Sequence, residues 1–196
     1  MTPVKSGTML ILASASPRRH ELLQRAGIAF TVQPAGIAET LRHGELPQAF
    51  AERLAEEKAL AVLAHHPRNF VLGADTIVLI DDHILGKPKD AQDGIRMLRM
   101  LSGRSHLVIT GVCLAGPEGK SFIDVRSETT TVTVTELSED DIRSYVATGE
   151  PLDKSGAYGI QGRASRWISR IEGDYFNVVG LPVSLVYRML REHGVV

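Results

Sequence analysis

Asp75 is a carboxylate inside the most apolar run of the chain, Val71–Ile80. A buried carboxylate is rarely tolerated unless a cation, a metal ion or several hydrogen bonds compensate it. Gly73 and Ala74 leave the backbone before it uncovered, which suits the close approach of a ligand. Two interpretations stay open: an acid that serves as general base or metal ligand, and a strand-end Asp paired with a structural Arg. The cost of burial favours the functional interpretation.

The segment Ser14–Arg19 is a second candidate, because it follows an apolar run and opens a helix. Ser16 occupies the position of a helix N-cap, and Pro17 occupies the first helical position. A helix N-terminus carries partial positive charge, so Arg18 and Arg19 in the first turn oppose the helix dipole. A bound phosphate or polyphosphate explains two cations at this place. The alternative is an ordinary capped surface helix with two solvated arginines.

Three further charged residues are candidates for binding a phosphate or a metal ion: Lys87, Lys58 and Glu39. Lys87 lies between a glycine and a proline, so it can serve as a fixed positive charge for a phosphate. Lys58 lies in a predicted helix, where a lysine by itself is an ordinary solvated residue. Glu39 follows a loop glycine and can join Asp75 around Mg²⁺, an ion that prefers oxygen ligands.

The segment Asp153–Gly162 is rich in glycine and polar residues. Glycines let backbone groups approach a ligand closely, and Gln161 can both donate to and accept from the edge of a nucleotide base. A tight loop between sheet elements, with Tyr158 as a packing residue, is the alternative.

Helices and strands alternate in the first half of the chain, and a long strand pair follows. The predicted helices cover about 17–26, 47–65, 91–101, 139–147 and 185–192. The predicted strands cover about 9–12, 28–32, 71–80, 84–85, 105–115 and 121–137. Threonines at 129, 131, 133 and 135 alternate with Thr130, Val132 and Val134, so one side is polar and the other partly apolar, which is typical of a sheet with one wet face. The pattern predicts an α/β fold with a mixed sheet.

Composition narrows the class of protein. The chain has 196 residues and 43% hydrophobic content, which is enough for one well-cored domain over 1–196 or for two lobes that share a sheet. Its formal net charge of -1 does not predict the basic surface of a nucleic-acid binder. The single cysteine, Cys113, excludes an internal disulfide and a multi-cysteine zinc site. No apolar run approaches the roughly 20 residues that cross a bilayer, and Met1–Thr8 lacks the apolar core of a secretory signal. We therefore expect a cytoplasmic protein with no membrane partner.

Three common catalytic motifs do not occur in the sequence: the G-x-x-x-x-G-K-[ST] phosphate loop, the H-E-x-x-H zinc motif and the G-x-S-x-G nucleophile elbow. A phosphate-loop NTPase, a zinc protease of that type and an α/β-hydrolase are therefore not expected.

Taken in order along the chain, these segments resemble the Maf family of nucleoside triphosphate pyrophosphatases. The segments that carry the resemblance are Ser14–Arg19, Glu39, Glu57–Ala59, Gly73–Thr76, Gly86–Pro88, Leu101–Gly103, Asp153–Gly162 and Ile171–Pro182. Each segment is weak by itself, whereas the ordered set, from about residue 9 to about residue 190, is highly specific.

The resemblance implies an elongated, two-lobed mixed β-sheet flanked by helices, similar to the inosine triphosphatase fold, with a nucleotide cleft between the lobes. It also implies hydrolysis of a nucleoside triphosphate to the monophosphate and diphosphate, a divalent cation (Mg²⁺ or Mn²⁺) as cofactor, and a homodimer. Arg18, Thr76 and Gln161 match the branch that acts on dTTP and UTP. The branch that acts on 7-methyl-GTP tends to carry Trp in place of Arg18. Phe176 and Asn177 are interpreted as local variation.

Residues and resemblance together predict a division of labour. The predicted phosphate-binding residues are Ser14, Arg19, Lys58 and Lys87, and the predicted base-reading residues are Arg18, Thr76 and Gln161. Asp75 would act as general base or, with Glu39, as metal ligand. A 7-methyl-GTP pyrophosphatase, a phosphatase that releases orthophosphate, and a non-catalytic nucleotide-binding regulator of cell division remain as alternatives. The regulator would not need the Asp75 carboxylate.

Overall fold

The computed structural model describes residues 9–117, 119 and 121–196, so Met1–Thr8, where no secretory signal is expected, lies outside the described residues. The helices are α1 (Pro17–Arg25), α2 (Pro47–Leu63), α3 (Ala91–Leu101), α4 (Glu139–Val146), α5 (Tyr175–Val179) and α6 (Val183–Glu192). The strands are β1 (Leu10–Leu12), β2 (Thr31–Val32), β3 (Phe70–Ile80), β4 (His83–Leu85), β5 (Ser105–Ala115), β6 (Ile123–Val134) and β7 (Ile168–Glu172). Short 3₁₀ helices cover Glu150–Asp153, Ser155–Ala157 and Arg163–Trp167. No helix in the described ranges combines the length and apolar character needed to cross a membrane.

The strands of the described residues form one mixed, seven-stranded sheet in the order β2-β1-β3-β5-β6-β7, with β4 paired to β3. Strand β1 runs parallel to β2 and β3, whereas β4 is antiparallel to β3 and β7 is antiparallel to β6. The predicted α/β class with a mixed, helix-flanked sheet is confirmed. The chain divides into two compact units, and β3, β5 and β6 each contribute residues to both.

Unit 1 comprises 9–75, 111–127 and 183–196 of the described residues. Its core packs α2 against β3 and β5 through small side chains, and Ala55 is fully buried there. A Cβ on Gly73 would overlap the Ala55 carbonyl oxygen, and a Cβ on Gly111 would overlap the Ala51 carbonyl. The close approach expected at Gly73 is therefore made by the backbone of α2 and not by a ligand, because the helix occupies the space above the glycine.

Unit 2 comprises 76–110 and 128–182. Its apolar core includes Leu98, Tyr158 and Trp167, which lie around one small cavity. On β6, Thr130, Val132 and Val134 are buried, whereas the threonines that alternate with them are exposed or half-buried. The predicted wet face of this strand is confirmed. Tyr158 is a buried packing residue, as the alternative interpretation of its segment expected.

Some elements match their predicted bounds and others were missed. Helix α3 and strand β5 have the predicted ends, and α2 ends at Leu63, two residues before the predicted His65. Strand β7 and helix α5 were not predicted. Strand β7 carries charged, mostly exposed residues that give no apolar pattern, and α5 is only five residues long.

His106 forms a buried polar pair with Tyr158 in unit 2. The Nε2 atom of His106 lies 2.8 Å from the Tyr158 hydroxyl oxygen, and its Nδ1 atom has no hydrogen-bond partner within the described ranges. Burial lowers the pKa of His106 from the ordinary 6.5 to about 4. The imidazole is therefore neutral at neutral pH, and a proton on it would leave a charge in an apolar core.

We expect the free energy of unfolding to decrease as the pH falls through the range from 6.5 to about 4. In that range the unfolded chain binds a proton at His106 that the folded chain does not. The part of the stability that depends on a neutral His106 is therefore fully present above the range and fully lost below it. The pKa difference corresponds to about 3 kcal/mol. Urea unfolding of wild type and His106→Gln at about pH 7.5 and about pH 4.5 measures it. The variant should lack this part of the acid loss, and an equal loss in both proteins would contradict the assignment.

Candidate active site

The turn before α1 directs Arg19 inward. Ser16 has the extended backbone of an N-cap, as predicted, but its side chain makes no capping hydrogen bond. Arg19 is buried, and its Nη1 atom donates to Ser14 Oγ at 3.0 Å and to the Ala74 carbonyl oxygen at 2.8 Å. The alternative of two solvated arginines is therefore wrong for Arg19, because its guanidinium is held on the carbonyl of Ala74, the residue directly before Asp75.

Lys58 of α2 brings the two predicted acids together. Its Nζ atom lies 2.6 Å from Asp75 Oδ1 and 2.6 Å from Glu39 Oε1. The side chains of Lys58 and Asp75 are each 10% exposed, whereas that of Glu39 is 54% exposed. The close packing of α2 on Gly73 places this turn of the helix beside the strand. Lys58 is thus not an ordinary solvated lysine, and it supplies a cation that pairs with Asp75.

Four charged side chains of unit 1 form one group. Arg19 and Lys58 are cationic, and Asp75 and Glu39 are anionic. Burial lowers the pKa of the Arg19 guanidinium, while the charges of Asp75 and Glu39 act in the opposite direction. These four charges balance one another, and Arg18 adds one positive charge beside Arg19. An incoming polyphosphate carries more negative charge than this, so it needs a further cation.

Glu39 and Asp75 are the carboxylates of this group that could bind such a cation. Across the described residues, no group of three or more His, Cys, Asp or Glu side chains is placed to hold a metal ion. Mg²⁺, however, is usually held by one or two carboxylates together with substrate phosphates. Glu39 and Asp75 both present a carboxylate oxygen to one cationic atom, Lys58 Nζ. The pair therefore fits an ion whose remaining ligands are water and phosphate.

The predicted site residues of unit 2 are Thr76, Lys87 and Gln161. The segments that carry them are hydrogen-bonded to one another. Ser155 Oγ donates to the Thr76 carbonyl at 3.1 Å, and the Gly156 N–H donates at 3.0 Å to the carbonyl immediately before Lys87. Gly156 has a φ of 72°, which favours glycine at this position. Lys87 and Gln161 are exposed. The Gly-rich segment is therefore attached both to the strand that carries Thr76 and to the turn that carries Lys87.

A hydrogen-bond network around Thr76 was missed from the sequence. Thr76 Oγ1 lies 2.9 Å from Thr110 Oγ1 and donates to the Gly180 carbonyl at 3.3 Å. Asn177 is fully buried, and its Nδ2 atom donates to a β5 carbonyl at 3.0 Å and to Thr130 Oγ1 at 2.9 Å. Asn177, interpreted from the sequence as local variation, therefore holds the segment that leads to Gly180. The sequence did offer one signal: Asn177 directly precedes two valines, and a polar amide in apolar surroundings needs hydrogen-bond partners.

The structure thus distributes the predicted residues as follows. Unit 1 holds Ser14, Arg18, Arg19, Glu39, Lys58 and Asp75, and unit 2 holds Thr76, Lys87 and Gln161. In unit 1, Lys58 contacts Asp75 and Glu39, and Arg19 contacts Ser14. Arg18 is half-buried in the first turn of α1.

Residues 9–193 match the family model described as Maf-like protein. The chain belongs to the Maf family. The match covers both units and all of the predicted site residues, so the resemblance drawn from the ordered motifs is confirmed.

Curated members of the Maf family are similar to this chain over nearly its full length. A protein named dTTP/UTP pyrophosphatase from Koribacter versatilis (strain Ellin345) is 58% identical over 189 residues, which is 96% of each chain. A protein of the same name from Moorella thermoacetica is 52% identical over 95% of each chain. Another, from Geobacillus sp. (strain WCH70), is 49% identical over 94% of this chain and 98% of its own length.

Solved structures of distant sequence share the fold of this Maf-family chain. The Staphylococcus aureus Ham1 protein is 16% identical and superposes with a TM-score of 0.51 over 94% of this chain and 99% of its own. A HAM1 protein from Coxiella burnetii is 17% identical, with a TM-score of 0.52 over 95% of this chain and all of its own. At these identities the likeness concerns the architecture alone.

Proposed function

We propose that this Maf-family chain hydrolyses dTTP and UTP to the nucleoside monophosphate and diphosphate. The observation that carries the proposal is the meeting of Asp75 and Glu39 at Lys58 Nζ, in a group that also contains buried Arg19. The choice of dTTP and UTP is supported by the curated relatives, which are named dTTP/UTP pyrophosphatase and include one that is 58% identical.

The reaction cleaves the anhydride bond between the α- and β-phosphates. It consumes one water molecule, whose atoms are divided between the monophosphate and the diphosphate. Arg19, Lys58 and Ser14 of unit 1 would bind phosphate oxygens and stabilise the negative charge that develops on the diphosphate. Lys87 of unit 2 is proposed as a further phosphate-binding residue. The burial of Arg19 and Lys58 in unit 1 supports electrostatic catalysis, which is the main demand of phosphoryl transfer.

Asp75 has two possible roles in this proposal. As general base it would accept a proton from the attacking water; as metal ligand it would bind Mg²⁺ or Mn²⁺ together with Glu39. A bound divalent cation would neutralise the part of the phosphate charge that the protein side chains leave uncompensated. Both roles require an ionised carboxylate at this position, and the ammonium of Lys58 lies beside it.

Arg18, Thr76 and Gln161 would recognise the base. Arg18 stands where the 7-methyl-GTP branch tends to carry Trp, which favours the dTTP/UTP branch over that alternative. The Thr110 and Gly180 contacts of Thr76 support a fixed hydroxyl in the middle of β3, directly after Asp75. A non-catalytic nucleotide-binding regulator is less well supported, since it would have no use for a carboxylate at Asp75.

The proposal includes a cytoplasmic location and a homodimer. Cys113 is a buried free thiol, which fits a reducing compartment, and nucleoside triphosphates are the proposed substrate. The homodimer rests on the family resemblance and is tested by measuring the mass of the protein in solution.

The test is the hydrolysis of dTTP, UTP, CTP, GTP and 7-methyl-GTP with Mg²⁺ or Mn²⁺, in which diphosphate and orthophosphate are assayed separately. We expect diphosphate release, fastest with dTTP and UTP. Release that is fastest with 7-methyl-GTP would retain the reaction and overturn the base assignment. Orthophosphate as first product would indicate a phosphatase. Nucleotide binding without any product would favour the regulator.

A further inference from the structure

We propose that Arg53 is a positioning residue for the reaction: it fixes the loop that carries Glu39, so that the Glu39 carboxylate meets Lys58 and Asp75 before substrate binds. This inference rests on the proposed function. It concerns residues of unit 1 only, and it assigns Arg53 no contact with substrate.

The contacts of Arg53 bind both ends of one short loop segment. Its Nε donates to Glu45 Oε1 at 2.6 Å, and its Nη2 donates to Glu45 Oε2 at 2.7 Å. Nη2 also donates to the Thr40 carbonyl oxygen at 3.0 Å. Thr40 directly follows Glu39 in the chain. One guanidinium therefore holds the backbone next to Glu39 and the carboxylate at the far end of the segment.

The surroundings of Arg53 favour this arrangement over a loose surface ion pair. The side chain of Arg53, on α2, is only 15% exposed, and that of Glu45 is only 10% exposed although its loop is otherwise largely exposed. The hydrogen bonds from Arg53 lower the pKa of Glu45 to about 2, so the pair stays charged over the working range of pH. Arg53 Nη1 donates to Glu57 Oε1, one turn further along α2, at 3.0 Å. Bidentate, charge-assisted pairs of this kind hold geometry better than single contacts.

Glu39 needs such support because of where it lies. Between Val32, the end of β2, and Pro47, the start of α2, the chain forms neither helix nor strand. A half-exposed carboxylate in a loop of that length loses much conformational freedom when it is held in one place. The Thr40 contact reduces that loss, since the neighbouring backbone is already immobilised on the helix that carries Lys58.

The experiment compares Arg53→Gln with wild type and with Arg99→Gln. Arg99 is a matched control, because it pairs with both carboxylate oxygens of Glu139, each at 2.7 Å, in unit 2. We expect Arg53→Gln to raise the Mg²⁺ concentration for half-maximal diphosphate release from dTTP by about 10–100-fold, as is usual when the support of a metal ligand is lost. Hydrogen exchange of the amides at 40–45 should speed up in Arg53→Gln and stay unchanged in Arg99→Gln. Glu45→Gln, which keeps the Thr40 bond, should give a smaller shift in the same direction and replaces Arg53→Gln if that variant does not fold.

A double-mutant cycle with Glu39→Gln decides whether Arg53 acts through Glu39. If it does, Arg53→Gln changes the Mg²⁺ dependence less than about twofold in the Glu39→Gln background, because the group it positions is already gone. An effect of full size in that background, or unchanged exchange at 40–45, would overturn the inference. Wild type that releases no diphosphate would instead refute the proposed function, and the exchange measurement would still test the loop contacts.

Discussion

Asp75→Asn is expected to reduce diphosphate release from dTTP by at least about a thousandfold while the protein stays folded. Asparagine neither accepts the proton of a water molecule nor provides a charged ligand for Mg²⁺, so both proposed roles of Asp75 are lost. The fold should survive because Lys58 Nζ keeps the Glu39 carboxylate at 2.6 Å and is not left as an unpaired buried charge. Steady-state rates, with circular dichroism and thermal melting on the same samples, provide the measurement.

Asp124→Asn is the matched control for this variant. Asp124 is also a largely buried carboxylate of unit 1, with 16% of its side chain exposed, and it pairs with Arg126 at 2.7 Å. It does not belong to the group that meets Lys58, so its variant should retain wild-type turnover. If Asp75→Asn kept most of its activity, both roles proposed for Asp75 would be wrong, and the catalytic carboxylate would have to be sought elsewhere.

Gly73→Ala is expected to destabilise the protein by about 3 kcal/mol and to reduce its activity with it. The added Cβ would overlap the Ala55 carbonyl oxygen and would lie 2.9 Å from the Ala59 amide nitrogen. Both atoms belong to the backbone of α2, so no side-chain rotation relieves the clash and the helix itself must move. Because Lys58 lies between them in the chain, its distance from Asp75 should increase as well. Urea unfolding and diphosphate release measure the two effects.

Gly94→Ala provides the comparison for this substitution. Gly94 lies inside α3, and a Cβ there would meet Val146 at an ordinary 3.7 Å. Alanine is the better helix former, so this variant should be unchanged or more stable by about 0.5–1 kcal/mol. Equal stability and activity of Gly73→Ala and wild type would show that the contact between α2 and β3 does not need to be this close.

Local signals account for the elements that were predicted well. Ser138 and Asp141 form a capping box at the start of α4: the Ser138 hydroxyl accepts from the Asp141 N–H, and the Asp141 carboxylate accepts from the Ser138 N–H. Gly27 and Gly103, which adopt positive φ angles, follow the ends of α1 and α3. Such signals act over three or four residues, so they can be recognised in the sequence alone.

The residue types and spacing of the sequence by themselves determined the α/β class, the family and the candidate acids and cations. Only the tertiary structure decided which of them meet. Lys58 and Asp75 are 17 residues apart and come together because α2 lies on Gly73. The inward turn of Arg19 and the attachment of Thr40 to Arg53 likewise depend on distant backbone carbonyls, which every residue possesses and no sequence pattern distinguishes. Contacts of this kind arise only when the elements pack, so they are properties of the folded chain.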